Sequence, residues 1–471
     1  MWIPRQLVGT GPRYMAIVAA LAEDIEQGEI GPGDRLMPQR DLAHRLGVSV
    51  GTVVRAYRIA EQRGLIGGEI GRGTYVRGLS TNSEQAFFGD GGRSADETAP
   101  VDFSLNVSPL GRHVLRLSEG LRALSNSTEL GDLVRYNPHQ GVLRHRRAVA
   151  NWISQTNDGQ FLPSEQNLAI FNGAQHALAT IVNSLLSSGD ILLTEHVTYA
   201  GIKAVASDQR LRLHGIEMDD KGLSPEGLRS ACEKTGARVL YTIPTLHNPT
   251  GVTMSAERRK AIAKVALEHD LTILEDDVYG FLAKGAPSPI AKLLPHQTYY
   301  IGGFSKVFAP GIRVGYAVVP PAAIDRILAG IRATNWMTSP LLVEVISKWI
   351  EDGAGPQILR ERRSEAKSRC SLALGILDKW VDAATYKNHA SFHLWVRAPE
   401  GMPADAFAAV ARSQGIIVTP PRAVEVAPTH VQNFRVSIGG VQNERQLQEG
   451  LERLRAVLED PGLALRGWSI V

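Results

Sequence analysis

Six short apolar runs, at residues 168–171, 191–193, 239–243, 272–274, 299–301 and 316–319, alternate with stretches of helical periodicity. Runs so short and so uniformly apolar suit strands buried on both faces, the condition of a parallel sheet covered by helices. Residues 100–471 are therefore expected to form an α/β domain with a substantial core. At 471 residues the chain has room for about three folded units.

The first 78 residues differ in character. They hold ten arginines, no lysine and eight acids, with the acids largely early and the arginines late. Tyr14, Val18, Leu21 and Ile25 recur at helical spacing, on one face. Gly and Pro between Gly28 and Gly33 end that pattern. Residues 39–46 read as a second short helix stopped by Gly47. Ser49 can cap a third, whose apolar face is expected to be Val50, Val53, Val54 and Tyr57. Residues 65–66 and 74–76 read as two strands joined by a hairpin. Three helices and a hairpin describe a winged helix-turn-helix.

Such a module sets the N-terminus of its second helix against base edges and phosphates of double-stranded DNA. Ser49 and Thr52 are the candidate hydroxyl donors, and Arg40, Arg55 and Arg58 supply charge. In the wing, Arg72 at the tip is suited to the minor groove, with Gly73 and Thr74 beside it where the backbone can approach DNA. The competing reading is a solvated basic face on a protein-binding winged helix.

Residues 79–99, LSTNSEQAFFGDGGRSADETA, are expected to be a flexible linker. A composition of 44% hydrophobic and 21% charged residues excludes a collagen, a coiled coil and a mainly disordered chain. No apolar run approaches the roughly 18 residues of a membrane span. The N-terminus lacks a basic-then-apolar pattern, so no secretory signal is expected. Two cysteines, Cys232 and Cys370, are too few for a metal cage and fit a reducing, cytoplasmic compartment. The formal net charge of +3 announces no nucleic acid; the local clustering of arginine does.

Lysine chemistry is the strongest signal in the large domain. Residues 302–315 read GGFSKVFAPGIRVG, with Lys306 after an apolar run and Arg313 seven residues on. A lysine that forms a Schiff base must lose its proton, so it belongs near other cations and away from bulk water. Upstream, ILEDDVYGF puts Asp276 at the end of an apolar run and Tyr279 three residues later. A buried carboxylate with no cation in its own segment needs an external partner, and a protonated pyridine nitrogen is one. Asn248, in HNPTG, and Tyr279 can both hydrogen-bond the phenolic oxygen of such a ring. Gly173, Ala174 and Gln175 lie between an apolar run and a helical pattern, where free N–H groups suit a phosphate. Tyr199 can stack on a ring face, and Arg435, in NFRVSIGG, can clamp a carboxylate.

LMPQRDLAHRLGVSVGTVVRAYRIAEQRGLI with the wing GEIGRGTYV resembles the GntR-type winged helix. Many relatives carry Arg directly after the cap serine and again four residues later, where this chain has Val50 and Val54. In chain order, the phosphate loop, stacking tyrosine, HNPTG, Asp-x-x-Tyr, Ser-Lys and late arginine resemble the fold-type-I aminotransferases that bind pyridoxal 5′-phosphate. The resemblance implies a large and a small domain. It implies that Lys306 forms the Schiff base, Asp276 binds the pyridine nitrogen, and Asn248 with Tyr279 bind the phenolate. Gly173, Ala174, Gln175, Ser305 and Arg313 would surround the phosphate, and Arg435 would take an amino acid's carboxylate. Tyr136, in RYNPHQG, is similar to the tyrosine that reaches a neighbouring subunit's phosphate. Two departures stand out: Gly303 replaces the usual hydroxyl residue three places before the lysine, and Val197-Thr198 replaces the usual Pro-Gly or Pro-Thr before the stacking tyrosine.

The domain pair resembles the MocR/GabR family of bacterial transcription regulators. That implies a head-to-tail homodimer in which an amine or amino-acid effector reacts at Lys306 and alters operator binding. The alternatives are a working aminotransferase with an accessory winged helix, and a sensor of pyridoxal phosphate itself.

Overall fold

A computed structural model describes residues 2–4, 12–26, 29–30, 34–62, 65–69, 73–76, 100–109, 113–427, 431–441 and 443–461. The chain separates into two units, residues 1–93 and 94–471. The expected linker at 79–99 and Arg72 of the wing lie outside the described residues.

The first unit contains α1 (Arg13–Glu26), α2 (Gln39–Leu46), α3 (Val50–Gln62), and the antiparallel pair β1 (Ile66–Glu69) and β2 (Gly73–Val76). Gly47 ends α2 in the left-handed conformation, φ 62°, and returns its N–H to the carbonyls of Ala43 and His44. Ser49 Oγ then accepts from the Thr52 N–H at 3.2 Å, capping α3. Ile17, Val18, Leu21, Leu42, Val53, Ala56, Tyr57, Ala60, Ile66 and Val76 form the core.

The apolar face expected for α3 needs correction. Val53 and Tyr57 are buried, but Val50 and Val54 are 44% and 42% exposed. The buried stripe runs Val53, Ala56, Tyr57, Ala60, and Val54 lies about 100° around the helix from Val53. Val50 belongs to the first turn, ahead of the packed part of the helix.

The second unit is built on a seven-stranded sheet of β3 (Leu168–Phe171), β4 (Ile191–Glu195), β5 (Arg212–Ile216), β6 (Val239–Thr242), β7 (Thr272–Asp276), β8 (Thr298–Gly303) and β9 (Gly315–Val318). Their order across the sheet is β3-β9-β8-β7-β6-β4-β5. Two expectations change here. Strand β9 is antiparallel to both β8 and β3, not parallel. Only 11 residues join β8 to β9, and they hold the lysine loop rather than a crossover helix, so the chain turns back. Strand β5 is not among the apolar runs because it sits at the sheet edge, where its residues run from exposed Arg212 through three half-buried positions to buried Ile216.

Helix α4 (Ala174–Leu185) starts directly after β3 and packs Ala177, Leu178, Ile181 and Val182 onto the sheet. A separate C-terminal layer pairs β10 (His393–Arg397) with β11 (Asn433–Ser437), antiparallel, with Trp395 opposite Arg435. Helices α5 (Ala354–Ile376), α6 (Ala404–Ser413) and α7 (Glu444–Glu459) cover it through a core that includes Phe103, Phe407, Phe434, Leu447 and Leu451.

Candidate functional site

The loops at the carboxyl ends of β3, β6, β7 and β8 carry most of the residues singled out in the sequence, the region where open α/β sheets bind ligands. Asp276 is the last residue of β7 and is buried. Its Oδ2 accepts from Tyr241 Oη at 2.7 Å and its Oδ1 from the Val278 N–H at 3.2 Å. Burial pushes its carboxyl up to about 6, against the opposing effect of these donors. Lys306 follows β8 and donates to the carbonyl of Asn106, while the Ser108 hydroxyl donates to the Lys306 carbonyl. Burial, then the cations of Arg435 and Arg313, bring the Lys306 amine down to about 8.

Tyr279 lies beneath this amine, with Lys306 Nζ 5.9 Å from its ring centroid. Asn248 follows β6; its Oδ1 accepts from Arg435 Nη1 at 2.9 Å. Arg435 Nη2 donates to the Ser104 carbonyl at 2.7 Å and to Thr419 Oγ1 at 3.0 Å. Burial lowers the Arg435 pKa, with Tyr279 and Tyr199 opposing. Burial, then the Asp276 charge, push the Tyr199 phenol up to about 12.

Gly173 sits between β3 and α4 at φ 85°, and a Cβ there would lie 2.6 Å from Arg313 Nη2. Only glycine admits both the left-handed turn and the guanidinium. Arg313 reaches Ser305 Oγ at 3.4 Å and the Asn172 carbonyl at 3.5 Å. The first N–H groups of α4, from Ala174 and Gln175, open on the same place. Gln175 Nε2 donates to the Gly201 carbonyl at 3.0 Å, and its buried Oε1 has no hydrogen-bond partner among the described residues.

Lys306, Asp276, Tyr279, Asn248, Tyr199, Arg435 and the Gly173–Arg313–Ser305 cradle thus form one site. Tyr136 stands outside it, 84% exposed and edge-on to Trp336 at 6.0 Å between ring centroids. On the first unit, Arg40, Ser49, Arg55 and Arg58 are exposed, while Thr52 and Thr74 are half-buried. The Arg55 guanidinium lies 4.2 Å from the Tyr14 ring centroid.

Sequence reasoning missed four contributors. Tyr241 reads in the sequence as plain strand core. Ser104 and Asn106 lie in a stretch without periodicity and act through backbone carbonyls. His393 Nδ1 meets both Asn106 Nδ2 and Ser391 Oγ at 3.1 Å, while its Nε2 lies 3.0 Å from the His247 carbonyl. Burial lowers its pKa to about 3, so it stays neutral, and Nε2 is the nitrogen that donates.

Residues 98–454 match the family model of aminotransferase class I and II, and residues 13–76 match that of bacterial regulatory proteins, gntR family. The chain belongs to the aminotransferase class I and II family. With a GntR domain ahead of it, the aminotransferase domain has the MocR-type arrangement.

The uncharacterized HTH-type transcriptional regulator YdeF of Bacillus subtilis (strain 168) is 28% identical over 98% of this chain and 97% of its own length. The probable rhizopine catabolism regulatory protein MocR of Rhizobium meliloti is 24% identical over 94% of this chain and 93% of its own length. Among solved structures, LysN of Thermus thermophilus is an alpha-aminoadipate aminotransferase complexed with N-(5'-phosphopyridoxyl)-L-leucine. It superposes with a TM-score of 0.69 at 23% identity, over 78% of this chain and 93% of that one.

Pyridoxal 5′-phosphate is the cofactor of the aminotransferase class I and II family, and this donor set fits it. A glycine turn with an arginine across it suits a phosphate, and a buried carboxylate suits a ring cation. Asn106 Oδ1 and Arg435 Nε are also buried, with no hydrogen-bond partner among the described residues.

Proposed function

We propose that this chain is a pyridoxal-phosphate-dependent, DNA-binding regulator of transcription whose effector is an amine or amino acid. The observation that carries the reading is the joining, in one chain, of a site that sets half-buried Lys306 beside buried Asp276 and Arg435 to a helix-turn-helix with exposed arginines. The regulators named among its relatives, similar over nearly the whole chain, support it.

When bound, pyridoxal phosphate offers an amine an electrophilic carbon conjugated to an electron-withdrawing ring. Asp276 holds the ring nitrogen, Asn248 and Tyr279 donate to the phenolic oxygen, and Tyr199 covers a ring face. Gly173, Ala174, Gln175, Ser305 and Arg313 receive the phosphate. Lys306 would present its amine at the place where an effector's amine is to be received. With its basicity lowered, it takes and returns a proton at Nζ. Arg435 receives the effector's carboxylate.

Two copies associate head to tail, and Tyr136 of each reaches the phosphate held by the other. Its exposure and its seat on Trp336 support that role. Arg40, Arg55, Arg58 and the cap residues Ser49 and Thr52 meet operator DNA, with Gly73 and Thr74 in the wing. A coupling of about 1–3 kcal/mol between the two sites corresponds to roughly 5–150-fold in operator affinity.

A second reading is a working aminotransferase that carries a winged helix. The completeness of the set Lys306, Asp276, Asn248 and Arg435 favours it. The visible absorption of the cofactor-loaded protein, followed through a panel of amines and then an added keto acid, separates the two. A spectral change that stops after one half-reaction supports the regulator. Sustained conversion of the keto acid supports the enzyme.

A further inference from the structure

We propose that Val50 and Val54 read thymine methyl groups in the major groove, which makes them specificity determinants of the operator. The proposal rests on the DNA-binding reading and deepens it. Both side chains begin α3, four residues apart and therefore on one face, and both stand in solvent at 44% and 42% exposure. The stripe of α3 that packs into the core of their unit runs Val53, Ala56, Tyr57 and Ala60, centred about 90° around the helix from the two valines. Close to half of each valine's surface faces solvent rather than that core.

Charge identifies the occupant of this face. Exposed Arg40, His44 and Arg45 on α2 and exposed Arg55 and Arg58 on α3 share this helix pair with the two valines, against exposed Asp41 and Glu61. A helix pair that shows solvent both cations and apolar side chains fits a polyanion that carries apolar groups. Duplex DNA does so in one place, the thymine C5-methyl on the major-groove floor.

The geometry agrees. One helical turn separates the valines by about 6 Å along the axis, close to two base steps at about 3.4 Å each. Gly51 beside them presents no side chain, and among the described residues a Cβ there would meet only Ser49 Oγ, at 3.8 Å. The adjoining cation, Arg55, is held over the Tyr14 ring at 4.2 Å, a placement suited to a phosphate at the groove edge rather than to a base.

The test uses the full-length, cofactor-loaded protein. A site is first selected from a random duplex pool. It is then resynthesised with deoxyuridine in place of thymine at one position at a time, which removes only the methyl. Two positions about two base steps apart should each weaken binding about four-fold, and both together about fifteen-fold. Val54→Ala should bind the thymine and uracil forms of one position equally, and Val50→Ala those of the other.

A selected site that binds equally well with uracil throughout overturns the proposal, as does undiminished methyl discrimination in both alanine variants. A change in the sedimentation of Val50→Ala or Val54→Ala with DNA discrimination intact would assign the face to a protein contact instead. If no sequence is enriched and duplex DNA is not bound even at low salt, the DNA-binding reading itself falls.

Discussion

Arg435 Nη1 lies 2.9 Å from Asn248 Oδ1, so a strand of the C-terminal layer is fastened to the loop that follows β6 in the sheet. The same guanidinium reaches Ser104 and Thr419, and its fixed fork serves three acceptors that a point-charge ammonium cannot serve together. Arg435→Lys leaves buried acceptors unpaired and is expected to destabilise the protein by about 1–3 kcal/mol. It should weaken an amino-acid effector at least ten-fold and the matching decarboxylated amine little. Spectral titration with the pair measures this; equal losses for both ligands would remove the carboxylate role.

Lys306 is surrounded by burial and two cations, which together favour its neutral form. In the cofactor-free protein, labelling of Lys306 by an amine-directed reagent should rise through a midpoint near 8, where an exposed lysine titrates near 10.4. Arg435→Met removes one repelling charge and should move the midpoint upward. A midpoint unchanged from an exposed lysine would contradict the site's electrostatics.

The reasons some of this was legible in the sequence and some not are physical. Strands buried on both faces must be apolar throughout, so β3, β4, β6, β7 and β8 announced themselves. Apolarity carries no direction, and nothing in the run at 316–319 said that β9 turns back. Lys306, Asp276 and Arg435 were legible because a charged group among apolar residues demands a partner. Tyr241 was not, because its ring satisfies the strand while its hydroxyl serves Asp276. Asn106 holds Lys306 by a backbone carbonyl from 200 residues away, a contact no local pattern records. On α3, periodicity alone could not say which of four nearby valine and tyrosine positions met the core.

Asp276 opposes folding in the absence of a ring cation. Its folded pKa of about 6 lies above the ordinary aspartate value, so its unfavourable contribution is absent at low pH and grows as pH rises from about 4 to 6. Asp276→Asn keeps partners for Tyr241 and the Val278 N–H. It should therefore stabilise the cofactor-free protein at pH 7, by no more than about 3 kcal/mol, and much less at pH 4. The same change should lower cofactor affinity by an order of magnitude or more. Urea unfolding at both pH values, with cofactor titration, checks the pair of opposite effects.

Gly303 has space for a side chain. A Cβ would meet Ala174 Cβ and the Val314 carbonyl at 3.5 Å and the Ala174 N at 3.6 Å, all ordinary contacts. A hydroxyl placed there lies beside the first N–H of α4, so Gly303→Ser should tighten cofactor binding several-fold with little change in stability. Gly173→Ala should do the reverse, because its Cβ meets the Arg313 guanidinium in a left-handed turn. Equilibrium dialysis of the cofactor reports both.

The most direct measurement of the central claim is operator affinity of the cofactor-loaded protein with and without an amine that changes its absorption. On this account the amine shifts the affinity by roughly 5–150-fold in wild type. Lys306→Ala, with its winged helix still folded, shows no such shift. Identical affinities with and without a demonstrably bound amine, or an undiminished shift in Lys306→Ala, would contradict the account.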